Sequence, residues 1–260
     1  MNKADADVGL VEENRRRYNA HTEELLSGSE GLAAAARAIG SPSEEHFNAF
    51  GQMEADLLRQ YGMTPNSTVI DVGCGSGRLA IQLREWLSGS YLGTDISSPL
   101  LGVARSASNR EDWTFTEVAG LEIPATENSA DVVCFFSVLT HLRHEEGFLY
   151  MEEAVRVARP GAAIVFSFLE FEVASHWDVF EATLSSLRAD GGLHVNQFMS
   201  RDLIAAWARN LGVEVEALHR GDLPHIDLTD PDFVATQNPV VDGRSNLGQS
   251  VAVLRVPPAR

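Results

Sequence analysis

Thr68-Val69-Ile70-Asp71-Val72-Gly73-Cys74-Gly75-Ser76-Gly77-Arg78 is the stretch that decides the fold. Thr68 to Val72 is a short β-branched run, the composition of a buried parallel strand. Three glycines follow, and from Arg78 to Leu87 the apolar residues return at helical spacing. A glycine loop between a strand and a helix lets the backbone approach a ligand and take positive φ. The helix behind it offers free N–H groups. Glycine spacing separates the ligands. A dinucleotide fingerprint, GxGxxG, needs glycine at position 78, which here is Arg78. The spacing is GxGxG, with the acid Asp71 two residues before the first glycine.

The same alternation continues away from this stretch. Strands are expected at Tyr91–Asp95, Trp113–Val118, Asp131–Phe136 and Ala162–Phe168, and then at Val213–Leu218 and Gln249–Val256. Helices are expected at Ser98–Ala107 and Glu145–Ala158, and from a cap at Ser200 to Leu211, stopped by Gly212. Residues 8–62 read as helices that precede the first strand. The clearest of them is capped by Ser41, with Pro42 in the first turn and Glu44 at its third position. Strands alternating with helices at this spacing predict an α/β, doubly wound, mostly parallel seven-stranded sheet with an N-terminal helical cap. The expected division is a cap over residues 1–64 and a main domain over 65–260, with insertions near 170–199 and 219–247.

The loop resembles the first motif of the class I S-adenosylmethionine-dependent methyltransferases. A second match is Tyr91-Leu92-Gly93-Thr94-Asp95, whose acid lies 24 residues after Asp71. The resemblance continues through Leu121-Glu122-Ile123-Pro124 and Glu127-Asn128-Ser129-Ala130-Asp131 to the Arg159-Pro160-Gly161 turn. It is strong over about residues 65–170. It implies S-adenosyl-L-methionine as cofactor and the fold already read. It places Asp71, Gly73, Cys74, Gly75 and Gly77 in the cofactor loop, and Asp95, with Ile96 beside it, at the ribose. Adenine contacts fall to Gly120 and Leu121, because Ala119 stands where the family often has an acid. Phe136 and Ser137 fall beside the methionine part. Tyr18, on the first helix, is a further cofactor contact.

Composition narrows the partners. The chain has 260 residues and a formal net charge of −17, with Lys3 its single lysine. That acid excess argues against nucleic acid and against an anionic membrane surface, both of which need clustered cations. Two cysteines, Cys74 and Cys134, make neither a disulfide framework nor a zinc site, and no metal is expected. Met1–Val8 has no apolar signal-peptide region, and no run approaches 18 apolar residues. A cytoplasmic location is the default expectation.

The expected function is methyl transfer from S-adenosylmethionine to oxygen or nitrogen of a small-molecule metabolite. A non-catalytic cofactor-binding scaffold and an aminopropyl transferase of the same fold are the alternatives. His141, just past the fourth strand, is the candidate general base. Glu170, past the fifth, is the candidate that orients the acceptor. Glu172, His176 and Trp177 follow at the same edge, and His225 and Asp227 lie in the last long connection.

Overall fold

The computed structural model describes residues 36, 37, 39–190 and 196–259. Tyr18 and most of the expected cap helices lie outside the described residues.

Helix α1 (Glu44–Gln60) comes first. Its cap is Ser43 and not Ser41: Ser43 has extended backbone, and its side chain accepts from the His46 N–H. Pro42 keeps the residue before it extended, so the helix starts after the proline instead of on it. The strands and helices then alternate: β1 (Val69–Val72), α2 (Arg78–Leu83), β2 (Tyr91–Asp95), α3 (Ser98–Ser108), β3 (Thr114–Glu117), β4 (Ala130–Phe135), α4 (His144–Val157) and β5 (Ala158–Phe168). The expected turn at Arg159-Pro160-Gly161 is absorbed into β5, where the register with β4 shifts and Gly161 takes φ +84°. Helix α5 (Ala174–Asp190) occupies a stretch read from sequence only as an insertion near 170–199, with no helix expected in it. Trp177, Phe180, Leu184 and Leu187, three and four apart, were its signal. α6 (Arg201–Leu211) has the expected caps, with Ser200 accepting from the Leu203 N–H and Gly212 left-handed at φ +69°. β6 (Glu214–His219), a small hairpin of β7 (Ile226–Asp227) and β8 (Arg244–Ser245) flanking α7 (Pro231–Ala235), and β9 (Ser250–Arg255) complete the described chain.

The main sheet has seven strands in the order β3-β2-β1-β4-β5-β9-β6. β1 to β5 are parallel, and β9 runs antiparallel between β5 and β6. Each parallel strand is buried on both faces, so its side chains alternate between two apolar layers. Val69, Cys134, Val165 and Val253 meet Met53, Leu57 and Leu79 on the α1–α3 side. Ile70, Val133, Ile164 and Leu254 meet Met151, Ile204 and Trp207 on the α4–α6 side. The winding reverses between β1 and β4. In such sheets the crevice outside the carboxyl ends at the reversal point is where ligands bind.

Candidate active site

Five connections leave the carboxyl ends of β1 to β5 at this crevice. The first carries the glycine loop. Gly73 and Cys74 both donate backbone N–H to the Thr94 carbonyl, at 2.7 and 2.9 Å, which ties the loop to β2. Gly77 has φ +86°, and a Cβ there would lie 3.0 Å from Ala104 of α3. Gly73 has φ +73°, and a Cβ there would lie 2.4 Å from Val138 Cγ2. Both positions therefore demand glycine on conformation and on space.

Asp95 ends β2 and is 8% exposed. Its Oδ2 accepts from the Gly75 N–H at 2.9 Å and its Oδ1 from the Ser97 N–H at 2.8 Å. Each oxygen keeps lone-pair capacity for a further donor. Burial raises its pKa, opposed by the N–H groups of Ser97, Gly75 and Ile96. The Ser97 hydroxyl beside it is buried without a hydrogen-bond partner. A buried acid and an orphaned hydroxyl at one strand tip suit a ligand carrying vicinal hydroxyls. Beyond β3, the Gly120 carbonyl accepts from the Tyr150 hydroxyl at 3.1 Å, which fixes the edge on which Leu121 stands.

Past β4, Phe136 is buried and Ser137 takes φ +61°, an uncommon conformation for a residue other than glycine. Three hydrogen bonds surround Ser137. Its N–H donates to Ser167 Oγ at 2.7 Å, the Ser167 hydroxyl donates to Gln249 Oε1 at 2.7 Å, and the Gln249 amide donates to Ser137 Oγ at 3.1 Å. This ring joins the ends of β4 and β5 to the approach of β9. It forms part of a cleft of about 200 Å³ that Ser41, His46, Phe50 and Arg78 also line. Ile39, just before α1, approaches the loop so closely that its Cγ2 would lie 3.2 Å from a Cβ on Gly75. A larger hollow of about 310 Å³ opens at the amino ends of the strands, around Asn66, Asp131 and Arg159. It is remote from the glycine loop, and Arg159 there is paired with Asp131.

A methyltransferase domain family matches residues 70–166, which span β1 through most of β5. Residues 70–166 are thus similar to a methyltransferase domain, the likeness already read in the glycine loop. The malonyl-[acyl-carrier protein] O-methyltransferase of Hahella chejuensis is 30% identical over 151 residues, 57% of this chain and 51% of that protein. The demethylmenaquinone methyltransferase of Oceanobacillus iheyensis is 28% identical over 118 residues, 42% of this chain and 48% of that protein. The chain thus matches only about half the length of these two relatives. Magnesium protoporphyrin IX methyltransferase from Synechocystis PCC 6803 shares the fold, at TM-score 0.59, 15% identity and coverage of 93% of this chain and 97% of that one.

Several of the side chains expected at the site are engaged in contacts within the fold. Asp71 lies on the α1 side of β1, beneath the loop. Its Oδ2 accepts from the Tyr91 hydroxyl at 2.5 Å, and its Oδ1 lies 3.7 Å from the Cys134 thiol. Its carboxylate is spent inside the core, so it supports the loop and does not face the cleft. Burial raises its pKa to about 7, helped by Glu54 and opposed by Tyr91. Cys74 is buried too, its thiol pushed up by burial, so only its backbone can serve a ligand.

Glu170 is also engaged within the fold. It is buried, and Arg201 donates to both its oxygens at 2.9 and 3.0 Å while the Ser250 hydroxyl donates at 2.5 Å. Burial would raise this carboxyl, but Arg201 and Ser250 outweigh it and hold the pKa below the ordinary value. A carboxylate so occupied is a poor base and clamps β5 and β9 to α6 instead. Glu170→Ala should lower stability by about 1–3 kcal/mol, less than a fully buried pair because Arg201 is partly exposed. Affinity for S-adenosylhomocysteine should stay unchanged. Thermal melts and calorimetry check both, and a fall in affinity with no change in melting temperature would restore a role at the site.

His141 stands exposed on the short 3₁₀ turn after β4, outside the residues that line the cleft. His176 is consumed by structure, its Nδ1 3.0 Å from the Glu170 amide and its Nε2 2.8 Å from the Gly248 carbonyl. Trp177 is half-exposed among Phe171 and Phe180 on α5. Among the described residues, no group of three His, Cys, Asp or Glu is placed to hold a metal. No helix among them is long and apolar enough to cross a membrane. Sequence reading passed over Ser167, Gln249 and His46. Ser167 carried a signal, a hydroxyl inside an otherwise apolar strand; Gln249 carried none.

Proposed function

We propose that the protein transfers the methyl group of S-adenosylmethionine to oxygen or nitrogen of a small-molecule metabolite. The observation that carries this reading is the glycine loop and buried Asp95 meeting at the sheet's reversal point, with a small polar-edged cleft beyond β4. The Hahella relative is named for O-methylation of a carrier-bound malonyl group, which is consistent with an oxygen acceptor.

When bound, S-adenosylmethionine supplies an electrophilic methyl group on a sulfonium. The residues of the chain would do the rest. The loop from Gly73 to Gly77 brings backbone close to the ligand, and Asp95 accepts from its ribose hydroxyls. Gly120 and Leu121 would contact the adenine, Ile96 stands beside Asp95 at the ribose, and Phe136 and Ser137 would border the methionine part. Helix α1 and the described residues just before it, Ile39 to Ser41, border the cleft and would help exclude water. Alignment of acceptor, carbon and sulfur is the main catalytic contribution of such a site.

Calorimetry with S-adenosylhomocysteine and with NAD tests the cofactor, and binding of the first but not the second is expected. Tighter binding of NAD would sink the reading. Turnover against panels of hydroxyl and amine metabolites then separates an enzyme from a scaffold, and measurable methylated product is expected.

A further inference from the structure

The residue that faces the acceptor is expected to end with a hydrogen-bonding atom that nothing in the protein uses. Ring nitrogens can be followed through the described histidines. His144 Nε2 meets the Phe198 carbonyl, and His176 has both nitrogens engaged. His219 Nε2 meets the Tyr61 hydroxyl, and His141 is exposed on the turn after β4. Only His46 and His225, among the described residues, hold a buried ring nitrogen without a partner. His225 is stacked on His219 at 4.4 Å, with its carbonyl bonded to Gln60 near the far end of α1, remote from the cleft. His46 lines the cleft itself.

The setting of His46 is well defined. It lies in the first turn of α1, with its backbone N–H held by Ser43 Oγ at 3.1 Å. Its ring stacks on Phe50, with centroids 4.3 Å apart and planes 23° apart. Burial, and then the Arg78 guanidinium, lower its pKa and so favour the neutral ring. Arg78 is itself tied to buried Glu54, so neither of these charges is free to pair with the imidazole. The Ser41 hydroxyl, a second buried polar atom without a partner, lines the same cleft. Two buried polar atoms without a partner, both from the segment that borders the cleft, are a cost that a ligand meeting them offsets.

We infer that His46 is the acceptor-facing base of this site, its Nδ1 receiving the hydrogen of an O–H or N–H acceptor. The inference rests on the methyl-transfer reading above. The acceptor's lone pair forms the bond to the methyl carbon, and the carbon–sulfur electron pair stays on sulfur. The acceptor's proton passes to His46 Nδ1. The ligand class is therefore a neutral molecule with a hydroxyl or amine, small enough for a cleft of about 200 Å³.

The test needs no knowledge of the acceptor. Sinefungin carries an ammonium where the sulfonium carries its methyl, so it presents an N–H donor at the transfer position. Calorimetry on the full chain should show that sinefungin binds more tightly than S-adenosylhomocysteine. His46→Phe keeps the stack on Phe50 but removes Nδ1. It should cut that preference roughly tenfold or more, with S-adenosylhomocysteine affinity held within about threefold. In wild-type protein labelled with ¹⁵N-histidine, the His46 Nδ1 signal should move on adding sinefungin and stay in place with S-adenosylhomocysteine. This second readout serves even if the variant does not fold. A preference that survives His46→Phe, an absent preference in wild type, or an unmoved Nδ1 signal would overturn the inference while leaving the cofactor reading intact. Failure of wild type to bind S-adenosylhomocysteine at all would overturn both.

Discussion

Asp95→Ala should weaken binding of S-adenosylhomocysteine by about 30- to 1000-fold, a loss of about 2–4 kcal/mol. The estimate combines two charge-assisted hydrogen bonds to a ribose with partial replacement by water. The structure adds a second reason for a large effect. Asp95 accepts from the Gly75 and Ser97 N–H groups, so its removal also frees the glycine loop. Asp95→Asn keeps the size and one acceptor oxygen, and should lose less. Calorimetry with both variants checks the order. An unchanged dissociation constant for a folded Asp95→Ala protein would show that the ribose is held elsewhere.

Asp71→Asn should become progressively more stable than wild type as pH rises from about 4 to about 7. In the native state burial raises the Asp71 pKa to about 7, from an ordinary value of 3.8. The native protein therefore keeps a proton that the unfolded chain has lost, and stability falls with rising pH across that window. Above pH 7 the loss is complete. At about 1.36 kcal/mol per pH unit, the window is worth about 4 kcal/mol. Asparagine retains an oxygen for the Tyr91 hydroxyl and never ionises. Urea unfolding of both proteins at pH 5 and pH 8, without ligand, reads the difference. A constant gap between them at the two pH values would rule out Asp71 as the titrating group.

The parts of the fold legible in the sequence were those where one local signal acted alone. β2 fell at Tyr91–Asp95 as expected because a short apolar run met an acid and a turn. α6 fell between Ser200 and Gly212 because both caps were written in the chain. The first cap was misplaced by two residues because Ser41 and Ser43 flank a proline and only backbone geometry chooses between them. At the site, glycine spacing pointed to the loop, but the direction of each side chain depended on the sheet. Asp71 follows Ile70 in β1, and the strand's alternation turns it into the core. Glu170 looked free until α6 brought Arg201 back across it, 31 residues later. His46 drew no notice because a lone histidine on a helix has no spacing to read.

The ring of Ser137, Ser167 and Gln249 has a consequence for biosynthesis. Ribosomes deliver the chain from its amino end, so β4 and β5 emerge long before the glutamine that bridges them. β9, which follows that glutamine directly, inserts between β5 and β6 and not at an edge. A nascent chain halted before residue 249 would carry the glycine loop and Asp95 but no finished cleft. The last piece of the site to leave the ribosome is also the wedge that closes the sheet, so a chain competent for the reaction is one whose central strands are already locked.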